Sequence, residues 1–172
     1  MRKETLDILM SSKNEHWNTP AEVLAPIHQT FGGIDLDPCS NDNSRVSAKT
    51  SYRGPTVDVD GLTASWQTNG LVFVNPPYGR KMKPWIQKCA DEAKKSKDLG
   101  NRTEIILLGP ARTDTNFFQK IVCPTADKVL LWEGRITFLG AEDPAPFPSF
   151  LSYWGHRPDK FMIAFLGKGW FM

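Results

Sequence analysis

The sequence predicts an α/β domain with a mainly parallel sheet and an antiparallel C-terminal edge. Two apolar runs, Leu71-Val72-Phe73-Val74 and Ile105-Ile106-Leu107-Leu108, are unbroken in the way of strands buried on both faces. Helical patterns separate the strands over the first part of the chain. Towards the C-terminus strand patterns follow one another with turns between them, so helices no longer cross over. The 172 residues, 40% hydrophobic and 23% charged, are ordinary globular usage for one domain rather than a disordered, collagenous or coiled-coil chain. Residues 1–14 read as an N-terminal extension, and 15–172 as one domain with no separate recognition module.

Trp17-Asn18-Thr19-Pro20-Ala21-Glu22 carries the first strong signal. Thr19 suits an N-cap, Pro20 the first helical position, and Glu22 completes a capping box. The helix is expected to run towards Phe31 and stop at Gly32-Gly33, with Pro26 kinking it or ending it early. Ile34-Asp35-Leu36-Asp37 alternates as a strand that breaks at Pro38. From Cys39 to Gly70 the chain is polar, with one weak strand around Val57 and Val59. The strand Leu71–Val74 follows, then a helix from about Pro84 to Lys97, the strand Ile105–Leu108, and a helix over Asn116 to Val122. Lys128–Trp132 and Arg135–Leu139 are expected to pair around a Glu133-Gly134 turn, and Phe161–Leu166 to form a last strand.

No run reaches the ~20 apolar residues of a membrane span, and Met1 to Ser12 lacks the pattern of a signal peptide. Three widely spaced cysteines fit a reducing cytosol better than a disulfide framework, so a cytoplasmic location is expected. His16, His28 and His156 show no metal-ligand spacing, and no metal site is expected. There is no glycine-rich phosphate loop. A net charge of +2 is too small to hold nucleic acid by charge alone, yet cations cluster at Arg80-Lys81-Met82-Lys83 and Lys94-Lys95-Ser96-Lys97. Such runs also occur as plain solvated faces.

Ligands of parallel sheets bind beyond the carboxyl ends of the strands. Polar clusters fall at three such ends: Asp35 to Ser40, Asn75 to Tyr78, and Gly109 to Asp114. Asn75-Pro76-Pro77-Tyr78 is the most specific, and it resembles the catalytic loop of methyltransferases that modify a planar amine using S-adenosyl-L-methionine. The chemistry is particular. An exocyclic amine is a poor nucleophile because its lone pair is delocalised into the ring. Acceptors at Asn75 and at the Pro76 carbonyl can hold both amine hydrogens and push the nitrogen towards tetrahedral geometry. Proline stiffens those acceptors, Pro77 brings no competing donor, and Tyr78 offers a face for an extruded base.

The wider pattern narrows the resemblance. Trp17-Asn18-Thr19-Pro20, Asp35-Leu36-Asp37-Pro38-Cys39, Asp60-Gly61-Leu62 with Trp66, and Asn75-Pro76-Pro77-Tyr78 occur in that order. Gly134-Arg135-Ile136-Thr137-Phe138 and Pro148-Ser149-Phe150 follow. The succession is similar to the short phage and prophage DNA adenine methyltransferase (Dam) family. The resemblance implies a Rossmann-like S-adenosylmethionine-dependent methyltransferase fold that methylates N6 of a flipped adenine in double-stranded DNA; a monomer is the expected state, though the sequence leaves oligomerisation open. It implies catalysis by Asn75, Pro76, Pro77 and Tyr78. It also implies a cofactor site of Trp17, Thr19, Pro20, Asp37, Pro38, Cys39, Ser40 and Asp60. Arg80, Lys81, Lys83, Arg112 and Arg135 are candidates for DNA phosphates. Many methyltransferases carry a glycine-rich turn after the first strand; Pro38-Cys39-Ser40-Asn41 has no glycine. Thr19-Pro20 also reads as a bare helix cap, Asp60-Gly61 as a bare turn, and Cys39 as a small buried residue. Two alternatives stay open: a methyltransferase for RNA or a protein glutamine, and an inactive nucleic-acid-binding relative.

Overall fold

The computed structural model describes residues 17–172; the proposed extension over 1–14 lies outside them. The elements in chain order are α1 (Ala21–Phe31), β1 (Ile34–Asp37), β2 (Ala48–Ser51), β3 (Leu71–Val74), a 3-10 turn (Gly79–Lys81) and α2 (Met82–Leu99). Then come β4 (Glu104–Pro110), a π-helical turn (Phe118–Val122) running into α3 (Cys123–Thr125), β5 (Lys128–Trp132), β6 (Ser149–Trp154), α4 (Pro158–Ala164) and β7 (Gly169–Phe171). One seven-stranded sheet has the order β2-β1-β3-β4-β6-β5-β7. Its first three pairings are parallel and its last three antiparallel. The result is a mixed α/β fold with a parallel centre, consistent with a methyltransferase-like architecture.

The unbroken apolar runs are explained by helices on both faces. Phe73, Ile106 and Leu108 join the core under α1 and α4, whereas Val72, Val74, Ile105 and Leu107 join the core under α2. Helix α1 ends as expected at Gly32, which takes a left-handed φ of 84°. It runs straight through Pro26, because Val23, Leu24 and Ile27 keep burying one face and outweigh the lost hydrogen bond. Pro20, not Thr19, stands at the N-cap, and no side chain caps the helix, so the expected capping box is absent. The Thr19 hydroxyl has another partner.

Three further expectations need correction. Val57 and Val59 form no strand: residues 54–59 close on themselves through Val57 N–H to Gly54 and Gly54 N–H to Val59, leaving both valines exposed. The second strand is instead Ala48–Ser51, a polar edge strand with little hydrophobic pattern to betray it. Residues 135–139 make no hairpin with β5, because β6 and β7 already occupy both of its edges. Ile136 and Phe138 still point inward with period two, and Ala145 N–H bonds the Ile136 carbonyl at 2.9 Å. Phe161–Leu166 is not extended: 161–164 are helical and 165–166 a turn, with Phe161 and Phe165, four apart, fully buried while Ile163 and Leu166 are 67% and 81% exposed. Pro158 opens that helix. The antiparallel C-terminal edge is real, but its hairpin partners are other than expected.

Cys39, Cys89 and Cys123 are all unpaired. Among the described residues no helix is long and apolar enough to cross a membrane, and no three His, Cys, Asp or Glu side chains converge.

The amino end of β4 is held by a buried charge cluster. Glu104, 1% exposed, accepts from Tyr153 Oη and is bridged by Arg157, whose Nε lies at 2.9 Å. Arg157 also lies over the Phe31 ring, tying α1 to the end of β6. Arg157→Met leaves a buried carboxylate without its cation and is expected to cost about 3 kcal/mol. Urea unfolding of the two proteins, at equal m-value, measures that loss.

Candidate active site

β1 and β3 are neighbours, but the chain leaves β1 towards β2 on one side and leaves β3 towards β4 on the other. The two exits diverge and open a crevice at their carboxyl ends, the usual ligand site of open α/β sheets. A cleft of about 210 Å³ fills that crevice. Its walls are Pro38, Cys39, Ser40 and Asn41 from the β1 exit and Asn75, Pro76 and Pro77 from the β3 exit. Arg53, Gly54, Pro55, Asp60 and Gly61 come from the stretch after β2, and Trp17 and Trp85 complete the lining.

Gly61 makes this convergence possible. A Cβ there would lie 1.9 Å from the Pro38 carbonyl oxygen, so no other residue allows the approach. The Gly61 carbonyl accepts from Trp66 Nε1 at 2.8 Å, and Trp66 is buried and stacked on Trp85. Asp60 Oδ1 accepts the Leu62 N–H at 3.0 Å, which fixes the carboxylate at the cleft wall. The spacing Asp60-Gly61-Leu62 with Trp66 is therefore one folded unit: a turn, its indole anchor and a cleft carboxylate.

Asn75 is fixed from the other side. Its Nδ2 donates to the Trp17 carbonyl at 2.5 Å and to Thr19 Oγ1 at 3.0 Å. A carbonyl only accepts, so the amide nitrogen must face Trp17 and the amide oxygen must face away. That oxygen, Oδ1, is buried and makes no hydrogen bond. An unpaired buried acceptor costs about 1–3 kcal/mol, a burden native folds retain mainly at functional positions. Thr19, 2% exposed, spends its hydroxyl here instead of on the helix end.

Asp37 lies behind the cleft, facing a void of about 10 Å³ that Thr19, Cys39, Ser44 and Asn75 also border. Only 3% exposed, its carboxyl is pushed up to about 6 by burial, against hydrogen bonds from Ser40, Cys39 and Ser44 that favour the anion. Burial, with the Asp37 charge second, drives the Cys39 thiol well above its ordinary range, so it stays protonated and is no nucleophile.

Tyr78 is placed differently from the expectation that its face lines the site. It is outside the cleft lining, and its buried hydroxyl has no partner. Its ring meets Phe138 and Phe147 edge-on at 6.1 and 5.5 Å, and both phenylalanines also meet Trp17 edge-on at 5.3 Å. Pro20 is likewise outside the lining, at the start of α1. Arg80 and Lys81 on the 3-10 turn, Lys83 in the first turn of α2, and Arg112 and Arg135 in the loops after β4 and β5 are all exposed. β6 is antiparallel to both β4 and β5, so those two strands point the same way. All five cations therefore belong to the edge of the sheet that carries the cleft.

Sequence reasoning expects the loops Asn41 to Pro55 and Gly140 to Pro148 to read the target, but it singles out none of Asn41, Arg53, Trp85 and Phe147 as a site residue. Arg53 follows the unrecognised β2 and joins Asp42 to Asp58, at 3.2 and 3.3 Å, across the loops beside the cleft. Phe147 carried a signal that was available, an aromatic between Pro146 and Pro148 in an otherwise polar loop.

Fold and site together define a protein with a cleft at the switch point of an α/β sheet and an orphaned amide oxygen on its wall. The chain belongs to the DNA N-6-adenine-methyltransferase (Dam) family, which matches residues 8–147. It is also similar to the DNA N-6-adenine-methyltransferase of Escherichia phage T1, with 28% identity over 102 residues, or 59% of this chain. The chain spans 38% of that relative's length.

The raised Asp37 carboxyl has a stability signature. Between about pH 4 and 6 the folded protein holds a proton that the unfolded chain has released, so stability falls as pH rises through this window. Above it the full cost is present, about 3 kcal/mol. Asp37→Asn is expected to remove the extra slope, which urea unfolding of both proteins from pH 4 to 7 measures.

Proposed function

We propose that this protein transfers a methyl group from S-adenosylmethionine to the exocyclic N6 amine of an adenine extruded from DNA, on a Rossmann-like scaffold. The observation that carries this reading is the Asn75 amide: its NH2 is consumed by Trp17 and Thr19, and its buried oxygen is left with no donor. A primary amine is the group that meets this need, since it brings two N–H donors, one for Asn75 Oδ1 and one for the Pro76 carbonyl. Membership of the Dam family and the name of the phage T1 relative support adenine in DNA as the carrier of that amine.

The residues present suit the donor. The cleft meets Asn75 at one wall and offers a carboxylate, Asp60, for a diol or an amine at another. In this reading Trp17, Pro38, Cys39, Ser40 and Asp60 hold the cofactor directly. Thr19 works through Asn75, Pro20 by starting α1, and Asp37 through the β1 exit that it braces. S-adenosylmethionine supplies an electrophilic methyl group. The protein supplies position: Asn75 Oδ1 and the Pro76 carbonyl draw the amine hydrogens aside, turning the nitrogen lone pair out of the ring plane and towards the cleft. Adenine N6 is out of reach in a stacked duplex, so the base must leave the helix. In this reading Arg80, Lys81, Lys83, Arg112 and Arg135, on the same edge as the cleft, hold the flanking phosphates.

The decisive assay gives unmethylated plasmid DNA and labelled S-adenosylmethionine to the wild type and to Asn75→Ala, with nucleosides identified by mass spectrometry. Label is expected on adenine, and turnover of the variant is expected to fall by ~100-fold or more, the scale for losing a key polar group in the transition state. Cofactor binding by the variant should survive. Label absent from adenine, or a fully active variant, rejects the mechanism.

A separate measurement concerns the basic rim. Replacing Arg80, Lys81 and Lys83 together with glutamine should lower the slope of log affinity against log salt by about 0.9 for each phosphate no longer neutralised. A slope unchanged from wild type would move the DNA face elsewhere on the molecule.

A further inference from the structure

We propose that Phe147 is a placeholder for the target base, its ring occupying in the free enzyme the space beside Tyr78 that the extruded adenine takes. The inference rests on the methyltransferase reading above and goes one residue beyond it.

In the methyltransferase reading, the base held at Asn75 Oδ1 stacks on Tyr78, three residues further on. In the free protein the ring is already engaged, edge-on by Phe138 and by Phe147. One of the two must yield before a base can stack there. Phe138 is the fixed member: it is 2% exposed, belongs to the main core cluster, and is followed by Leu139, whose N–H bonds the Asn18 carbonyl at 2.9 Å. Phe147 is half-buried and packs against that core from outside.

The backbone of Phe147 is not free to carry its ring away. Ala145 N–H is bonded to the Ile136 carbonyl, the Pro148 carbonyl accepts from Ala111 N–H at 2.8 Å, and Pro146 and Pro148 restrict the residue between them. The ring therefore leaves by turning about its side-chain torsions while the loop stays in place. The same geometry gives the ring a return position against Trp17, with which it also makes an edge-on contact at 5.3 Å. Trp17 in turn holds Asn75 through its carbonyl, so the placeholder touches the catalytic loop at Tyr78 and its anchor at Trp17.

Steady-state kinetics on DNA with Phe147→Ala and Phe147→Trp test this, alongside wild type and with cofactor dissociation constants measured for all three. A ring that competes with the base taxes apparent DNA affinity by the fraction of time it spends in place. Phe147→Ala is therefore expected to lower the DNA KM by about 3- to 10-fold, and Phe147→Trp to raise it by a similar factor. Cofactor affinity should stay level in both. If both variants raise the DNA KM and weaken cofactor binding together, Phe147 is merely packing and the proposal is overturned. If both leave the DNA KM unchanged, the base does not use this space. Should wild type itself fail to label adenine, it is the underlying function that fails.

Discussion

In the proposed mechanism, the orientation of one amide governs the chemistry of this protein. Asn75 sits at the end of β3, where a strand fully buried on both faces delivers it to the carboxyl edge of the sheet. Left to itself, an asparagine side chain rotates and flips between donor and acceptor. Here the Trp17 carbonyl and the Thr19 hydroxyl take the nitrogen, so the oxygen has only one way to point. The lock comes from the segment that precedes α1, which explains why Trp17 and Thr19 matter although neither belongs to the sheet. In that mechanism the unpaired oxygen is the cost of having the acceptor ready before any amine arrives, and a preset acceptor does not have to reorganise during the reaction.

Stability and chemistry occupy opposite edges of the sheet. At the amino end of β4, Glu104, Tyr153 and Arg157 satisfy one another and close the molecule. At the carboxyl ends, Asn75 Oδ1 and Tyr78 Oη are buried without partners, and Asp37 carries a carboxyl shifted upwards by burial. The two edges are joined by strands whose alternate side chains feed two cores. Strain at the cleft is thus tolerated because the interactions that set the strand positions lie elsewhere.

Much of this was legible in the sequence, and the exceptions share a cause. The strand Leu71–Val74 and the Ile105–Leu108 heart of β4 announced themselves because burial on two faces demands an unbroken apolar run. Asn75 and its neighbours could be read for the same reason: the strand's end was unmistakable. β2 was hidden, since an edge strand with exposed side chains needs no hydrophobic pattern, and Arg53 was lost with it. Residues 135–139 have the alternation of a strand and do bury Ile136 and Phe138 in turn. Alternation reports which side chains face inward, however, and not which strand is next door. At Phe161 to Leu166 a short apolar run fits strand or helix equally, and only the four-residue spacing of Phe161 and Phe165 favours the helix. The site residues contributed by loops are legible only when a rigid residue marks them, as the prolines mark Phe147.

The absence of a glycine-rich turn after β1 has a structural counterpart. Such turns serve to present free backbone N–H groups to a ligand. In this protein the corresponding amides are already used: Cys39 N–H donates to Asp37 Oδ1 at 3.2 Å, and Ser40 N–H to the Tyr52 carbonyl at 2.9 Å. The close approach that glycine usually provides comes from the facing loop, where Gly61 lies against the Pro38 carbonyl. In the proposed reading, recognition in the cleft consequently falls to side chains such as Asp60 rather than to a cradle of amides. Asp37 then has a role that does not require it to touch a ligand, because it accepts one of those amides and, through Ser44, fixes the loop that follows. A carboxylate used in this way can be buried deeply enough to lose much of its acidity, and Asp37 is.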